Sequence, residues 1–263
     1  MKRGKTVKEF EGILIISDFD GTIACDGKVS SENREAIRHF TENGGRFSLC
    51  SGRALAFTSE IARSIGCNTL IGCYNGAVCY DFRQDHILYT TGFDVKAADV
   101  FRTIAEHFPN HERITIDNAE KKWDFSDTAS AADAVSNIAG PVYKMVFFQQ
   151  PDATYKMVDV FSDYPDFDVY LSNDFMFEVM PKGVNKGTFL QKMRRMLAPR
   201  VHMIIALGDY NNDIPMISAA DVGVAVQGGH PDAIAAAQIV APTLDRHTIV
   251  WLVDQLERKQ ICK

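Results

Sequence analysis

A chain of 263 residues, 46% of them hydrophobic, has enough apolar content for one large domain or two smaller ones. Its formal charge of −6 disfavours a general nucleic-acid binder, which would carry a basic stripe, and no apolar run approaches the ~20 residues that span a bilayer. The six cysteines form no CxxC pair and no His pair stands at zinc spacing, so they read as mostly buried, reduced thiols.

Met1 to Phe10 is short, charged and polar, without the apolar centre of a signal peptide, and a cytoplasmic location is expected. Ile13 to Ile16 is an apolar run fit for a buried strand, and it is followed by Asp18 and Asp20 on either side of Phe19. In an extended segment alternate side chains share a side, so the two carboxylates would face one small space. That is unfavourable unless a cation or a shared proton relieves the repulsion. A polar turn after a strand accounts for this stretch equally well.

Ser30 is a plausible N-cap for a helix with Ala36, Ile37 and Phe40 on one face, ended by Gly44 and Gly45. A strand over Arg46 to Cys50 leads into Ser51-Gly52-Arg53. Next comes a helix with Phe57, Ile61 and Ile65 at spacing four, stopped by Gly66, and a further strand over Thr69 to Cys73. The texture changes through Arg83 to Met180, where aromatics and charges mix and Pro109, Pro141, Pro151 and Pro165 break the chain into short elements.

The strand and helix grammar then resumes. A helix covers Lys186 to Leu197, a strand Met203 to Leu207 leads into Gly208-Asp209, and a helix spans Ile214 to Ala220. A short strand Val222 to Val226, a close-packed helix through Ala233 to Ala237, and a closing helix Thr248 to Leu256 complete it. The alternation predicts an α/β fold: a Rossmann-like parallel-sheet core built from residues 1–77 and 181–263, with a second domain inserted over 78–180 where the texture changes. Hinges are expected near Asn75-Gly76 and Pro181-Lys182-Gly183.

Ligands of open parallel sheets bind beyond the carboxyl ends of the strands, and the polar clusters of this chain fall there. Several carboxylates without nearby histidines suit a hard cation bound through oxygen, and magnesium beside a phosphoryl group fits best. Ser51 and the backbone N–H groups of Gly52 and Arg53 can hold phosphate oxygens, with Lys186 as a point charge on the same group. A carboxylate in line with phosphorus can attack it, and a second can protonate the leaving oxygen and then deprotonate water.

Asp18-Phe19-Asp20-Gly21-Thr22, Ser51-Gly52-Arg53, Lys186-Gly187 and Gly208-Asp209-Tyr210-Asn211-Asn212-Asp213 resemble the four ordered motifs of the haloacid dehalogenase superfamily. The resemblance covers essentially the whole chain and is narrower to the Cof-type hydrolases, which insert a large α/β cap between the second and third motifs. It implies Asp18 as nucleophile and Asp20 as acid/base. Mg2+ would be held by the Asp18 side chain, the Asp20 carbonyl and Asp209. Phosphate would be held by Ser51, Gly52 and Lys186 and oriented by Asn212, with Asp213, Thr22 and Arg53 in supporting places. Ser51 stands where threonine is frequent in relatives, and its hydroxyl preserves the function.

The implied activity is a magnesium-dependent phosphatase of small phosphorylated metabolites, sugar phosphates first. No nucleic-acid or membrane partner is expected, and the protein would be a monomer or small homo-oligomer. A phosphosugar mutase with the same core and a similar cap is one alternative. A binding module that keeps the fold without turnover is another; loss of Asp18, Asp20, Lys186 or Asp209 would have favoured it, and all four are present.

Weaker readings stay open beside these. Arg53 reads as a phosphate contact or as a surface residue at a helix start. Asn75-Gly76-Ala77 reads as a substrate contact or a hinge turn, and Trp123-Asp124-Phe125 as the roof of the site or as the insert's own core. The seven histidines are scattered and form no metal triad.

Overall fold

The computed structural model describes residues 8–93, 96–108, 112–118 and 120–261; residues 1–7 of the N-terminal tail, Pro109 and Cys262 lie outside them. Five strands form a parallel sheet, in the spatial order Ile239–Ala241, Val222–Val226, Met203–Gly208, Ile13–Ser17, Arg46–Leu49. Every residue of Ile13–Ser17 is buried, because both faces of the sheet are covered by helices. Its side chains alternate between two separate cores. Ile13 and Ile15 pack with Ile37, Phe40 and Leu252, while Leu14 and Ile16 pack with Phe189, Leu190 and Met193.

Local chemistry sets the helix ends. Ser30 caps Ser31–Glu42 by accepting from the Asn33 N–H at 3.2 Å, and the helix Leu55–Ile65 ends on Gly66 in the left-handed conformation. Asn185 and Thr188 form a reciprocal capping box that starts Lys186–Leu197 at Lys186 itself. From Ile13–Ser17 the chain runs to Arg46–Leu49 on one side, and later returns through Met203–Gly208 on the other. The crevice between these outward paths opens where Asp18 and Asp209 follow their strands.

Ile71–Cys73 is shorter than the expected strand and touches the core sheet by a single Cys50–Gly72 bridge. It pairs antiparallel with Val78–Asp81, which pairs in turn with His86–Thr90. The chain turns at Tyr74 and Asn75, both with positive φ, and pairs back on Ile71–Cys73 through Val78–Asp81, with His86–Thr90 as the outer, mostly exposed strand. Val78, Tyr80 and Phe82 enter the first core cluster and Cys79 the second.

A second sheet follows in the chain, antiparallel throughout, in the order Phe167–Asn173, Met176–Pro181, Val142–Phe148, Arg113–Asn118, Lys122–Phe125. Ile114, Ile116, Met145, Phe147, Phe177 and Val179 form one face and pack with Phe101, Ile104, Met157 and Phe161 of the helices Ala97–His107 and Pro151–Phe161. The intervening residues point the other way, toward the ends of the parallel strands. Among the described residues, no helix is long and apolar enough to cross a membrane. Cys50, Cys67, Cys73 and Cys79 are buried thiols and Cys25 is exposed.

Candidate active site

The ladder between the two central strands extends one residue further, with the Asp18 N–H donating to Leu207 O at 2.9 Å. This puts Asp18 at the lip of the crevice with its side chain buried. Lys186, 1% exposed, reaches it from the first turn of its helix. Its Nζ donates to Asp18 Oδ1 and to Asp213 Oδ1, both at 2.6 Å. The other oxygen of Asp213 accepts from the backbone N–H groups of Asp209 and Tyr210 at 3.0 and 3.1 Å, which fixes the loop that presents Asp209. Thr22 donates to Asp209 Oδ1 at 2.7 Å. Gly21 has φ +77°, and a Cβ there would sit 2.3 Å from Asp209 Oδ2, so only glycine lets the two loops meet.

One carboxylate oxygen from each of Asp18, Asp209 and Asp213 lies within 4.8 Å of the others. The buried cation in contact with these acids is Lys186, bonded to two of the three. Burial pushes the Asp18 carboxyl well above its ordinary range; Lys186 opposes this, and Asp213 and Asp209 add to it. Burial and then the charge of Asp213 push Asp209 up to about 7, against the Thr22 bond. Burial works to lower Lys186, yet Asp18 and Asp213 hold it charged. Three carboxylates that can each offer an oxygen to one point fit a hard divalent cation such as Mg2+.

Asp20 is turned away from this cluster. Its carboxylate takes a two-pronged bond from Arg53, Nε to Oδ2 and Nη2 to Oδ1, each at 2.7 Å, and both side chains are nearly half exposed. The Arg53 guanidinium also lies 4.4 Å from the Phe57 ring centre. Ser51 is buried, and its Oγ accepts from the Arg53 N–H at 3.2 Å. The helix beyond it begins only at Leu55, so in this conformation the Arg53 N–H is engaged by Ser51 and not aimed outward.

These groups floor a cavity of about 550 Å³ beneath the second sheet. Of the ten residues given catalytic, metal, phosphate or supporting places from the sequence, Thr22 and Asp213 stand back from its wall; the weaker candidates Asn75-Gly76-Ala77 and Trp123-Asp124-Phe125 do not line it either. The sequence reading missed the roof: Thr115, Asp117, Lys122, Lys144 and Glu178 face down from the second sheet. A lysine inside the apolar VYKMVFF strand and a glutamate inside MFEVMP were the available signals. Asn212 Nδ2 donates to Ser172 Oγ at 3.3 Å, and the Tyr210 hydroxyl to Asp174 at 2.6 Å, so the Asp209–Asp213 loop also touches the second sheet. Trp123 does not line the cavity: it pairs with Ile116, on the side packed against helices. Asn75 is buried and donates to Glu178 at 2.5 Å.

A family model described as haloacid dehalogenase-like hydrolase matches residues 15–253. The 5-amino-6-(5-phospho-D-ribitylamino)uracil phosphatase YcsE of Bacillus subtilis is 26% identical over 220 residues, 81% of this chain and 83% of its own. The phosphatase YwpJ of the same organism is 24% identical over 282 residues, covering 92% and 99%. Among solved structures, the subclass IIB sugar phosphatase BT4131 superposes with a TM-score of 0.77 at 17% identity, over 94% of this chain and 99% of the other.

Proposed function

The chain belongs to the haloacid dehalogenase-like hydrolases, and on that premise we propose that it is a magnesium-dependent phosphatase of small phosphorylated metabolites, with sugar phosphates as its first substrate class. The observation that carries this reading is the convergence of Asp18, Lys186, Asp209 and Asp213 at the mouth of the central strands, under an enclosed polar roof. The second sheet is the substrate-selecting cap. We divide the chain so that the cap begins after the His86–Thr90 strand, because Val78, Tyr80 and Phe82 lie in the first core cluster and His86–Thr90 pairs with their strand.

Asp18, Asp209 and the Asp20 carbonyl would hold Mg2+, with Asp213 bracing the Asp209 loop. When bound, the ion neutralises the phosphoryl oxygens and the acids around them. Lys186 and Ser51 bind the transferred phosphate, and Asn212 orients it. An Asp18 carboxylate oxygen attacks phosphorus and the bond to the leaving oxygen breaks, with Asp20 delivering its proton to that oxygen. Water then attacks the phosphorus of the aspartyl-phosphate and Asp20 takes its proton. Inorganic phosphate departs and the Asp18 carboxylate is restored. For this, Asp20 must exchange its Arg53 partner for the substrate, and an incoming phosphate is the natural competitor for that guanidinium.

A screen for phosphate released from a panel of phosphorylated metabolites tests the reading. Release by the wild type and none by Asp18→Asn is the expected result. An isomerised sugar phosphate with no free phosphate would identify a mutase instead.

A further inference from the structure

Cap and core meet through a buried ionic chain that the chemistry above does not use. Lys144 Nζ donates to Glu178 Oε1 at 2.6 Å on the neighbouring cap strand, and also crosses to the core, donating to the Gly52 carbonyl at 2.7 Å. Glu178 Oε2 accepts from Asn75 Nδ2 at 2.5 Å, and the Asn75 backbone N–H donates to the Ser51 carbonyl at 2.9 Å. The circuit therefore closes on the Ser51-Gly52 segment from both sides. Lys144 is 7% exposed and Glu178 3%. Burial works to raise the Glu178 carboxyl, but Lys144 and bonds from Lys144, Ser172 and Asn75 outweigh it and leave the group below its ordinary value. The fit is close: a Cβ on Gly52 would lie 3.1 Å from Asn75 Oδ1 and 3.2 Å from Glu178 Oε1.

Peptide geometry turns this circuit into a positioning device. In a trans peptide the N–H points opposite to the carbonyl before it. A hand on the Ser51 carbonyl therefore aims the Gly52 N–H, and a hand on the Gly52 carbonyl holds the Arg53 N–H on Ser51 Oγ, which fixes that hydroxyl. Cap stability does not require such an arrangement, because a buried ion pair is commonly matched or bettered by apolar residues of the same volume. What an apolar pair could not supply is the third bond, from the cap into the loop.

We propose that Lys144, oriented by Glu178, is a positioning residue that sets the Ser51-Gly52-Arg53 loop for phosphate when the cap is seated, so that phosphate affinity depends on cap docking. This rests on the functional reading above, which gives that loop to phosphate. The probe is inorganic phosphate, which has no leaving group for the cap to recognise. It is titrated calorimetrically into the full chain with magnesium present.

Lys144→Met should weaken phosphate binding by roughly 10- to 100-fold, the loss expected for a charge-assisted hydrogen bond, and lower kcat/KM by a similar factor for every ester. Lys144→Met with Glu178→Gln removes both buried charges together and guards against a cap that fails to fold. If that double variant is folded and binds phosphate like the wild type, the proposal is overturned. It is equally overturned if Lys144→Met raises KM only for bulky esters while phosphate affinity holds, since Lys144 would then read the leaving group. Wild-type protein that neither binds phosphate nor releases it from any ester overturns the functional reading and this inference together.

Discussion

The core and the cap place polar side chains by opposite rules. In the parallel core, Ile13–Ser17 is buried along its whole length, and the candidate polar residues stand where strands end and, for Lys186, where a helix begins. In the antiparallel cap, Phe167–Asn173 alternates buried and half-buried positions, and Thr115, Asp117, Lys144 and Glu178 are interleaved with residues of the cap's own core. A core with sites only at the ends of its elements can keep its reacting groups while everything around them varies. A cap with a site on every second residue can change what it recognises without changing how it folds. Substitutions in the two regions should therefore differ in kind, except at Lys144 and Glu178, which act on the core's own Ser51-Gly52 segment.

The largest effect is expected at Asp18. Asp18→Asn nearly preserves shape and removes the proposed nucleophile, so turnover should fall by about 10⁴-fold or more on every substrate alike. Asp20→Asn should cost roughly 10²- to 10⁴-fold, most with poor leaving groups, because it removes the proposed acid and base of both proton transfers. Steady-state rates across a panel of leaving groups check both. A core variant whose loss is confined to one substrate would break the division between the two regions.

Metal comes next, and its pH dependence has a definite sign. Asp209 is pushed up to about 7 from an ordinary 3.8, so the folded metal-free protein holds that proton more tightly than the unfolded chain. Stability should therefore fall as pH rises from about 4 to about 7, because the unfolded state ionises first. A cation takes over the role of the proton, so magnesium should raise Tm more at pH 7.5 than at pH 5. Melting curves in chelator and in magnesium at the two pH values measure this. A magnesium shift equal at both would remove Asp209 from the ligand set. Activity should vanish in chelator and return with magnesium, and calcium, which favours more ligands at longer distances, should substitute poorly.

The same contrast governs what could be read without coordinates. Asp18, Asp20, Ser51, Lys186 and Asp209, the residues of the proposed site, stand out in the sequence because each interrupts or follows an apolar run at a strand or helix end. The Arg53–Asp20 pair does not, since it joins loops 33 residues apart. Lys144 was hidden for a different reason. The first six residues of Val142–Phe148 are all buried, one face by cap helices and the other by the docked core, so the strand carries no clean alternation of apolar and polar residues. The change of texture begins at Arg83, after Val78, Tyr80 and Phe82, whose side chains lie in the first core cluster, so composition alone does not fix where the inserted segment starts.

The smallest effects offer the sharpest test of the cap's alternation, because they compare adjacent residues. Lys122 pairs with Asp117 and lines the cavity, while Trp123 pairs with Ile116, a fully buried member of the cap's own core. One step along the strand moves a side chain from the substrate face to the helix face. Trp123→Ala should therefore lower stability by roughly 1–2 kcal/mol, a half-buried aromatic's share, and leave the ranking of substrates unchanged. Lys122→Ala should do the reverse. Its stability should stay within about 0.5 kcal/mol of wild type, while relative kcat/KM values among substrates shift severalfold as one cation leaves the roof. Denaturation midpoints and a substrate panel on both purified variants separate the two outcomes. If Trp123→Ala reorders the substrates and Lys122→Ala does not, the cap reads its ligand through the opposite face, and its assignment as the roof of the site is wrong.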